Sequence, residues 1–327
     1  MVTIKDIATQ AGVSVGSVSR YLNGYRLKQG NEEKVKKAIQ DLNYIPNQTA
    51  KSLKMNKSSS IGILVDNMDN FYSAQLLAKL EQLFDRAGYF LLLTSHRNSE
   101  KTFNYKLHKL IERSVDALII LKAESEWQSF QEIGNLNVPV ISVEASLANE
   151  SVPEILTADM CAAEQVVKQL LLKRKKTAFI IPTESDYVLQ QRLAGVNAAF
   201  DDVQEKLPPD YVKYVNYGTT EAYDAVTELI EKEFDAIFVT NYTNAIQVVQ
   251  SIKDAKKIVG KDIAVAGFGY SHFLLNMRLP VTLIKQPVDM VAEKVAEVTL
   301  KLLDHQAVQH QTFIQDQIFW QKELSGE

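Results

Sequence analysis

One cysteine, Cys161, is all that the chain carries, so no internal disulfide can staple it. A lone thiol is expected in a reducing compartment, the cytoplasm, and Cys161 itself reads as a small buried residue at a helix start. No apolar run approaches the ~20 residues that a membrane-spanning helix needs. The first residues are polar, so no secretory leader is expected. The five histidines, His96, His108, His272, His305 and His310, show no metal-ligand spacing and have no cysteine partner. A phosphate loop, a nucleophile elbow and an HExxH run are all missing. Gly267-Phe268-Gly269 is too short for a dinucleotide fingerprint. Asn47-Gln48-Thr49 fits a glycosylation pattern that a cytoplasmic protein would not use. Asp66 and Asp69 suggest a carboxylate pair, but a turn at a strand end explains them equally well. Catalysis, a metal and a cofactor are therefore not expected.

What is present is an ordinary globular composition, with 46% hydrophobic and 23% charged residues. A chain of 327 residues is too long for one average core and implies two or three domains. The net charge of −4 alone argues against a polyanionic partner, but its distribution reverses that. Residues 1–57 hold ten lysines and arginines against four acids, and the remainder holds 26 against 36. A basic head on an acidic body is the footprint of a protein that meets a polyanion at one end.

The head has a legible plan. Thr3 can cap a first helix with Asp6 as its capping-box partner, and Ile4, Ile7, Ala8 and Ala11 share one face. Gly12 ends that helix where a positive φ closes the turn. Ser14 is a good cap for a second helix, with Val18 and Leu22 inward and Val15, Gly16, Ser17, Ser19, Arg20 and Asn23 outward. Small Ala8, turning Gly12 and plugging Val18 have helix-turn-helix spacing, which places the start of the second helix in a DNA major groove. A simple helical hairpin inside a larger core is the blander alternative. Residues 24–30 read as a loop, and Asn31 or Glu32 opens a third helix with Val35, Ala38, Ile39 and Leu42 inward. Tyr44-Ile45-Pro46 breaks it.

Two motifs carry a resemblance. The start TIKDIATQAGVSVGSVSRYLN and the segment YIPNQTAKSL are similar to those of the LacI/GalR (lac repressor) family of bacterial transcription regulators. The resemblance is strongest up to Asp66 and continues more weakly over nearly all of the chain. It implies a head at 1–46, a hinge helix and linker at 47–60, and an effector-binding and dimerisation domain at 61–327. That domain is expected to be two-lobed, α/β and periplasmic-binding-protein-like, with an N-lobe of about 61–158 and 288–315 and a C-lobe of about 159–287 and 316–327. Nine residues, Asn47–Met55, are too few for a stable isolated helix. In the resembled family this segment folds when two copies pair on operator DNA, and its leucine wedges into the minor groove; Leu53 stands at that position. The DNA contacts so implied are Thr3, Ser14, Val15, Gly16, Ser17, Ser19, Arg20, Asn23, Asn47, Ala50, Lys51, Leu53 and Lys54. Val15 suits a thymine methyl, Arg20 a bidentate contact with guanine, and Lys51 and Lys54 phosphates.

Beyond a polar linker at 57–60 the chain alternates strand-like and helical stretches, which predicts parallel sheets covered on both faces. Expected strands are 61–66, 90–95, 117–121, 138–143, 178–181, 211–215, 236–240, 263–268 and 282–285, with one or two more within 312–322. Expected helices include 126–136, 162–172, 190–201 and 244–259. Ligands of such sheets sit beyond the carboxyl ends of the strands. By that rule and by the resemblance, Tyr72, Ser73, Glu144, Arg192, Tyr217, Asn241, Tyr242, Phe268 and Gln286 are candidate effector contacts. Arg192, in the Gln191-Arg192-Leu193-Ala194-Gly195 run, is the clearest, with an ion pair across the cleft as its alternative. Tyr242 and Gly269 depart from the family's usual aspartates, which puts a standard monosaccharide in doubt. The expected partners are double-stranded operator DNA, a small and sugar-like effector and a second copy of the chain. The expected function is transcription regulation, as a repressor. A sugar-binding protein without regulation and a doubly wound enzyme are the alternatives from other classes.

Overall fold

The head is built by its caps. In a computed structural model, describing residues 2–44, 57–183, 186–216, 218–269, 278–322 and 324, helix α1 spans Ile4–Ala11. The Asp6 amide donates to Thr3 Oγ1 at 3.4 Å and the Thr3 amide donates to Asp6 Oδ2 at 2.8 Å, so two orphan donors are satisfied reciprocally. A cap of this kind is worth about 1 kcal/mol. Gly12 ends the helix at φ 64°, and helix α2, Val15–Leu22, starts on Ser14, whose Oγ accepts from the Ser17 amide. Val18 is fully buried among Ile7, Ala8, Ala11, Val35 and Ala38. Helix α3 is Gln29–Asp41 and starts before Asn31, the position expected from sequence. Its N-cap, Lys28, makes no side-chain cap, and Gly30 sits in the first turn, where the missing side chain removes the usual signal.

The body, residues 59–327, is a separate compact unit of two six-stranded sheets. In chain order its elements begin with β1 Ser60–Val65, α4 Phe71–Arg86, β2 Phe90–Ser95, α5 Glu100–Glu112, β3 Ala117–Leu121, α6 Gln128–Gln131, β4 Val140–Val143 and β5 Glu154–Thr157. Next come α7 Asp159–Lys173, β6 Thr177–Pro182, α8 Tyr187–Asp202, β7 Val212–Val215, α9 Glu221–Glu231, β8 Ala236–Val239, α10 Tyr242–Asp254 and β9 Ala264–Phe268. The last are β10 Thr282–Lys285, α11 Val288–Leu303, β11 Gln311–Ile314 and β12 Gln317–Phe319.

The first sheet runs β11-β5-β4-β3-β1-β2 and is parallel throughout. The second runs β12-β10-β9-β8-β6-β7 and is parallel except for β12 against β10. Each is covered on both faces, which is why strands such as Ala117–Leu121 are apolar without alternation. α4 and α11 cover one face of the first sheet through Leu76, Leu80, Val291 and Val295, and α5 covers the other through Phe103, Leu107 and Leu110. α7 and α8 cover the second sheet on one side, and α9 and α10 on the other. The chain passes between the sheets three times: from β5 into α7, from β10 into α11 and from β11 into β12.

Three expectations are corrected. The helix expected over 126–136 is one turn, α6, followed by a 3-10 turn at Ile133–Asn135. β5 was not anticipated, because Glu154 breaks the apolar run. In the fold Glu154 is fully buried and accepts from the Leu147 amide at 2.6 Å, Ser146 Oγ and Gln311 Nε2. Cys161 does lie near a helix start, but it is exposed rather than buried.

α7 and α8 meet at Gly195. A Cβ there would lie 2.3 Å from the Met160 carbonyl oxygen and 2.8 Å from Ala163 Cβ, so only glycine permits the approach. Gly195→Ala is therefore expected to lower stability by ~1–3 kcal/mol through overpacking, read from the midpoint of urea unfolding. An unchanged midpoint would show that the two helices separate freely.

Candidate nucleic-acid interface and ligand cleft

With Val18 inward, helix α2 turns Val15, Gly16 and Arg20 to solvent, and Ser17 and Ser19 lie half-buried beside them. Val15 is 45% exposed. A Cβ on Gly16 would meet only Ser14 Oγ at 3.8 Å, so that part of the helix is open to close approach. Thr3, Ser14 and Asn23 are all exposed but already engaged. Thr3 and Ser14 cap helices, and Asn23 Nδ2 donates to the Ser19 carbonyl at 2.8 Å. No carboxylate among the described residues pairs with Arg20; its guanidinium lies 5.8 Å from the centroid of the Tyr25 ring, which is 61% exposed. Asn47, Ala50, Lys51, Leu53 and Lys54 lie outside the described residues.

The body holds a cavity of about 560 Å³ between its two sheets. Its walls come from the start of α4 (Asn70, Phe71, Tyr72, Gln75), the start of α10 (Asn241, Tyr242), the end of β9 (Phe268, Gly269) and the end of β10 with the passage into α11 (Lys285, Gln286, Pro287). Of the expected contacts, Tyr72, Arg192, Asn241, Tyr242, Phe268 and Gln286 are brought together on this wall. Ser73 and Glu144 are not. Ser73 is fully buried and donates to Asp66 Oδ1 at 2.8 Å, while Asn70 Nδ2 donates to the other Asp66 oxygen. Glu144 is buried beneath the wall, where it accepts from Gln286 Nε2 at 3.1 Å and lies 3.7 Å from Lys122 Nζ. Tyr217 lies outside the described residues.

Arg192 is tied down on every side. Its Nε and Nη2 each approach Asp159 Oδ2 at 3.2 Å, its Nη1 donates to the Thr240 carbonyl at 2.5 Å, and its guanidinium stacks 3.7 Å from the centroid of Phe268. Arg192 does form an ion pair, but with Asp159 of the neighbouring helix on the same sheet rather than across the cleft, and it still reaches the cavity wall. Lys122 is held similarly, between Glu144 and the face of the Tyr72 ring at 5.1 Å. Burial works against the charge on Lys122, but Glu144, Asp66 and Asp186 together hold its pKa above the ordinary lysine value. Burial pushes Glu144 up to about 7 against the pull of Lys122. Across the mouth, Phe71 from α4 and Tyr242 from α10 stack with centroids 5.1 Å apart and planes 25° apart.

Sequence reasoning missed Lys122, Asp159, Asp316 and Phe71. Lys122 directly follows β3, so the strand-end rule applied to that strand points to it. Asp159 follows β5, and was lost with that strand. Asp316 lies in the two-residue passage from β11 to β12 and carries no sequence signal.

The Arg192–Asp159 pair is buried on both sides, with side-chain exposures of 8% and 1%. Asp159→Ala leaves a buried guanidinium without its carboxylate, and is expected to lower stability by ~3–5 kcal/mol. Urea unfolding of the full chain checks this, and a loss below a tenth of that range would mean that water enters and replaces the carboxylate.

Comparison with known proteins fits this geometry. Residues 3–47 match the family described as bacterial regulatory proteins, lacI family, and residues 61–307 match the periplasmic binding protein domain. The ribose operon repressor of Escherichia coli (strain K12) is 28% identical over 318 residues, covering 95% of this chain and 96% of that protein. The HTH-type transcriptional repressor PurR of Histophilus somni (strain 2336) is 26% identical over 316 residues, with 95% of each covered. Among solved structures, the lac repressor dimer bound to operator and the anti-inducer ONPF superposes with a TM-score of 0.87 at 23% identity, covering 99% of each chain. A transcriptional regulator CelR–cellobiose complex superposes with a TM-score of 0.72 at 18% identity, covering 99% of this chain and all of that one. The chain thus belongs, through residues 61–307, to the periplasmic binding protein domain family, and carries a lacI-family helix-turn-helix head at residues 3–47.

Proposed function

We propose that this chain is a sequence-specific DNA-binding transcription repressor, acting in the cytoplasm as a homodimer without catalysis, whose operator affinity is set by a small ligand in the cleft. The observation that carries this reading is the outward face of α2. Val15, Gly16 and Arg20 form a solvent-facing row that none of the described residues buries, on a helix whose other side is fixed by Val18. Val15 suits a thymine methyl, Gly16 allows close backbone approach, and Arg20 suits the two acceptors of guanine.

A dimer is supported at β2, the edge of the first sheet, where Phe90 is 70% and Leu93 44% exposed. An uncovered apolar edge strand is otherwise a liability, and a second copy would cover it. Two-fold protein symmetry then implies a two-fold operator. The ligand is a sugar or another small polar molecule. Rings and side-chain amides mix on the cavity wall, which suits apolar faces bordered by hydroxyls. The lysine and arginine beneath, Lys122 and Arg192, are already matched by Glu144 and Asp159, which disfavours an anionic ligand. Tyr242, standing where relatives usually carry aspartate, offers a ring in place of a carboxylate grip, so the ligand is larger or more apolar than a simple pentose.

Ligand and operator are linked. Closure of the cleft changes the relation of the lobes and so the separation of the two connectors that precede them in a dimer. By reciprocity the operator must change ligand affinity by the same factor.

The full-length protein, selected against random duplexes, is expected to enrich a two-fold symmetric site and to bind it more weakly as salt rises. On that site Arg20→Ala is expected to cost ~1–3 kcal/mol and to relax one base position per half-site. Equal loss on every sequence would make Arg20 a phosphate contact, and no enrichment at all would remove the repressor reading. Leu93→Glu is expected to give monomers in sedimentation and to abolish tight operator binding, whereas a dimer of undiminished stability would place the interface elsewhere.

A further inference from the structure

The three passages between the sheets each deliver one side chain to a single buried patch. Asp159 arrives on the passage from β5 to α7, Gln286 on that from β10 to α11, and Asp316 on that from β11 to β12. Glu144, in the turn after β4, joins the patch by accepting from Gln286 Nε2. Lys122 faces Glu144, and Arg192 of α8 faces Asp159. Among the side chains just named there are three carboxyls and two cations, with Asp66 and Asp186 adding negative charge near Lys122, and one of the three acids has no cation of its own.

Asp316 is that acid. Both of its carboxyl oxygens are shielded from solvent and accept no hydrogen bond from any donor among the described residues. Oδ1 of Asp159 is in the same condition, although its other oxygen is bonded to Arg192. The two carboxyl groups lie within hydrogen-bonding reach of one another. With Arg192 taken by Asp159, a proton on Asp316 supplies the donor that the protein does not.

We propose that Asp316 holds a proton and donates it to the unpartnered oxygen of Asp159, and that this proton acts as a ligand of the hinge: bound, it ties the first passage to the third and favours the closed cleft, and released, it leaves two facing carboxylates that favour opening. The proposal deepens the sensor reading above. It rests on that reading only for its effect on DNA, since the proton and the cleft can be followed without any operator.

The surroundings act in the same sense. Burial first, then the charge of Asp159, raises Asp316 to about 9, against the opposing pull of Arg192. Tyr72 of α4 is pushed upward by burial and then by Glu144, Asp159 and Asp316, so its hydroxyl stays neutral beside them. Glu144, Arg192 and Tyr72 are thus the groups facing the pair, with Tyr187 of α8 beside Asp159 and Lys122 behind Glu144, and of these Arg192 alone opposes the upward push without cancelling it. The sign of the effect follows. The folded value of Asp316 stands above the ordinary aspartate value of 3.8, so the folded chain keeps a proton that the unfolded chain releases. This contribution is whole in acid and is lost as pH rises toward about 9.

Full-length protein with Cys161→Ser, Glu81→Cys and Lys253→Cys places one spin label on α4 and one on α10, on opposite sides of the cleft. The label–label distance is expected to lengthen between about pH 6 and about pH 10, and to stay short over that range when Asp316→Asn is added, because the amide mimics the protonated acid. Melting temperature is expected to fall over the same range in the parent and less in the Asn variant. A distance insensitive to pH in the parent, or an equal response in both proteins, overturns the proposal. Should the Asn variant not fold, infrared difference spectra of the unsubstituted protein decide. A protonated-carboxyl band that bleaches between about pH 8 and about pH 10, above the range of Glu144, supports the proton on Asp316, and its absence removes it. Loss of operator binding with the pH response intact would sink the repressor reading alone.

Discussion

The body turns on the contact between Arg192 and Asp159. A guanidinium this deeply buried needs a partner for its charge, because an unmatched buried charge costs several kcal/mol. Asp159, the Thr240 carbonyl and the Phe268 ring hold it from three different elements, with Nη2 near Asp159 but without a hydrogen bond of its own. Asp159 sits where the chain first leaves the first sheet, Thr240 at the end of β8 and Phe268 at the end of β9. One side chain therefore fixes the carboxyl ends of the second sheet against the first passage, and the cleft floor follows from that. The same contact limits the chemistry available to a ligand. With Arg192 and Lys122 neutralised from below, amides and rings stand on the wall beside Lys79, Asp289 and Lys285.

The head obeys a different constraint. Its core is only six buried side chains with a ring of partly buried ones around them, too few to hold three helices by apolar burial alone. Local devices carry the difference: the reciprocal Thr3–Asp6 cap, the left-handed Gly12 and the Ser14 cap each fix a chain direction within one turn. Because these devices act locally, they leave the outer face of α2 free of any packing role, and that freedom is what a reading surface requires. Arg20 shows the consequence. Its nearest company is the exposed Tyr25 ring rather than an acid, so its five donors stay available while the ring restricts where they point.

Local devices are also what a sequence displays, which explains what could be read in advance. Thr3, Gly12, Ser14 and Val18 were each legible because cap, turn and plug residues have their own chemistry and fixed spacing. The β/α alternation was legible because doubly covered strands are continuously apolar. β5 was not, because its Glu154 is buried and satisfied by Leu147, Ser146 and Gln311, partners that only the fold assembles. The same holds for the cleft floor. Arg192 could be singled out by resemblance, but Asp159 and Asp316 acquire meaning only when passages more than 150 residues apart in sequence meet. The one-turn α6 failed for the opposite reason: its apolar residues have helical spacing, yet the chain there is used to reach β4.

Two contacts bear on the same motion from opposite ends of the cleft. At the mouth, Phe71 and Tyr242 stack between the lobes, a contact worth ~0.5–1.5 kcal/mol beyond the area it buries. At the hinge, the carboxyls of Asp159 and Asp316 meet between the first and third passages. A clasp of this strength holds the lobes together only weakly, shifting a two-state balance by a factor of about two to ten. A ligand that enters between the rings must first give up their contact, whereas one that lies against the exposed edge of the pair keeps it and adds its own. Only the second kind binds the closed form better by its full stacking energy, and only differential binding shifts the balance. Through Tyr242 the clasp itself is therefore part of the equilibrium that a ligand has to move.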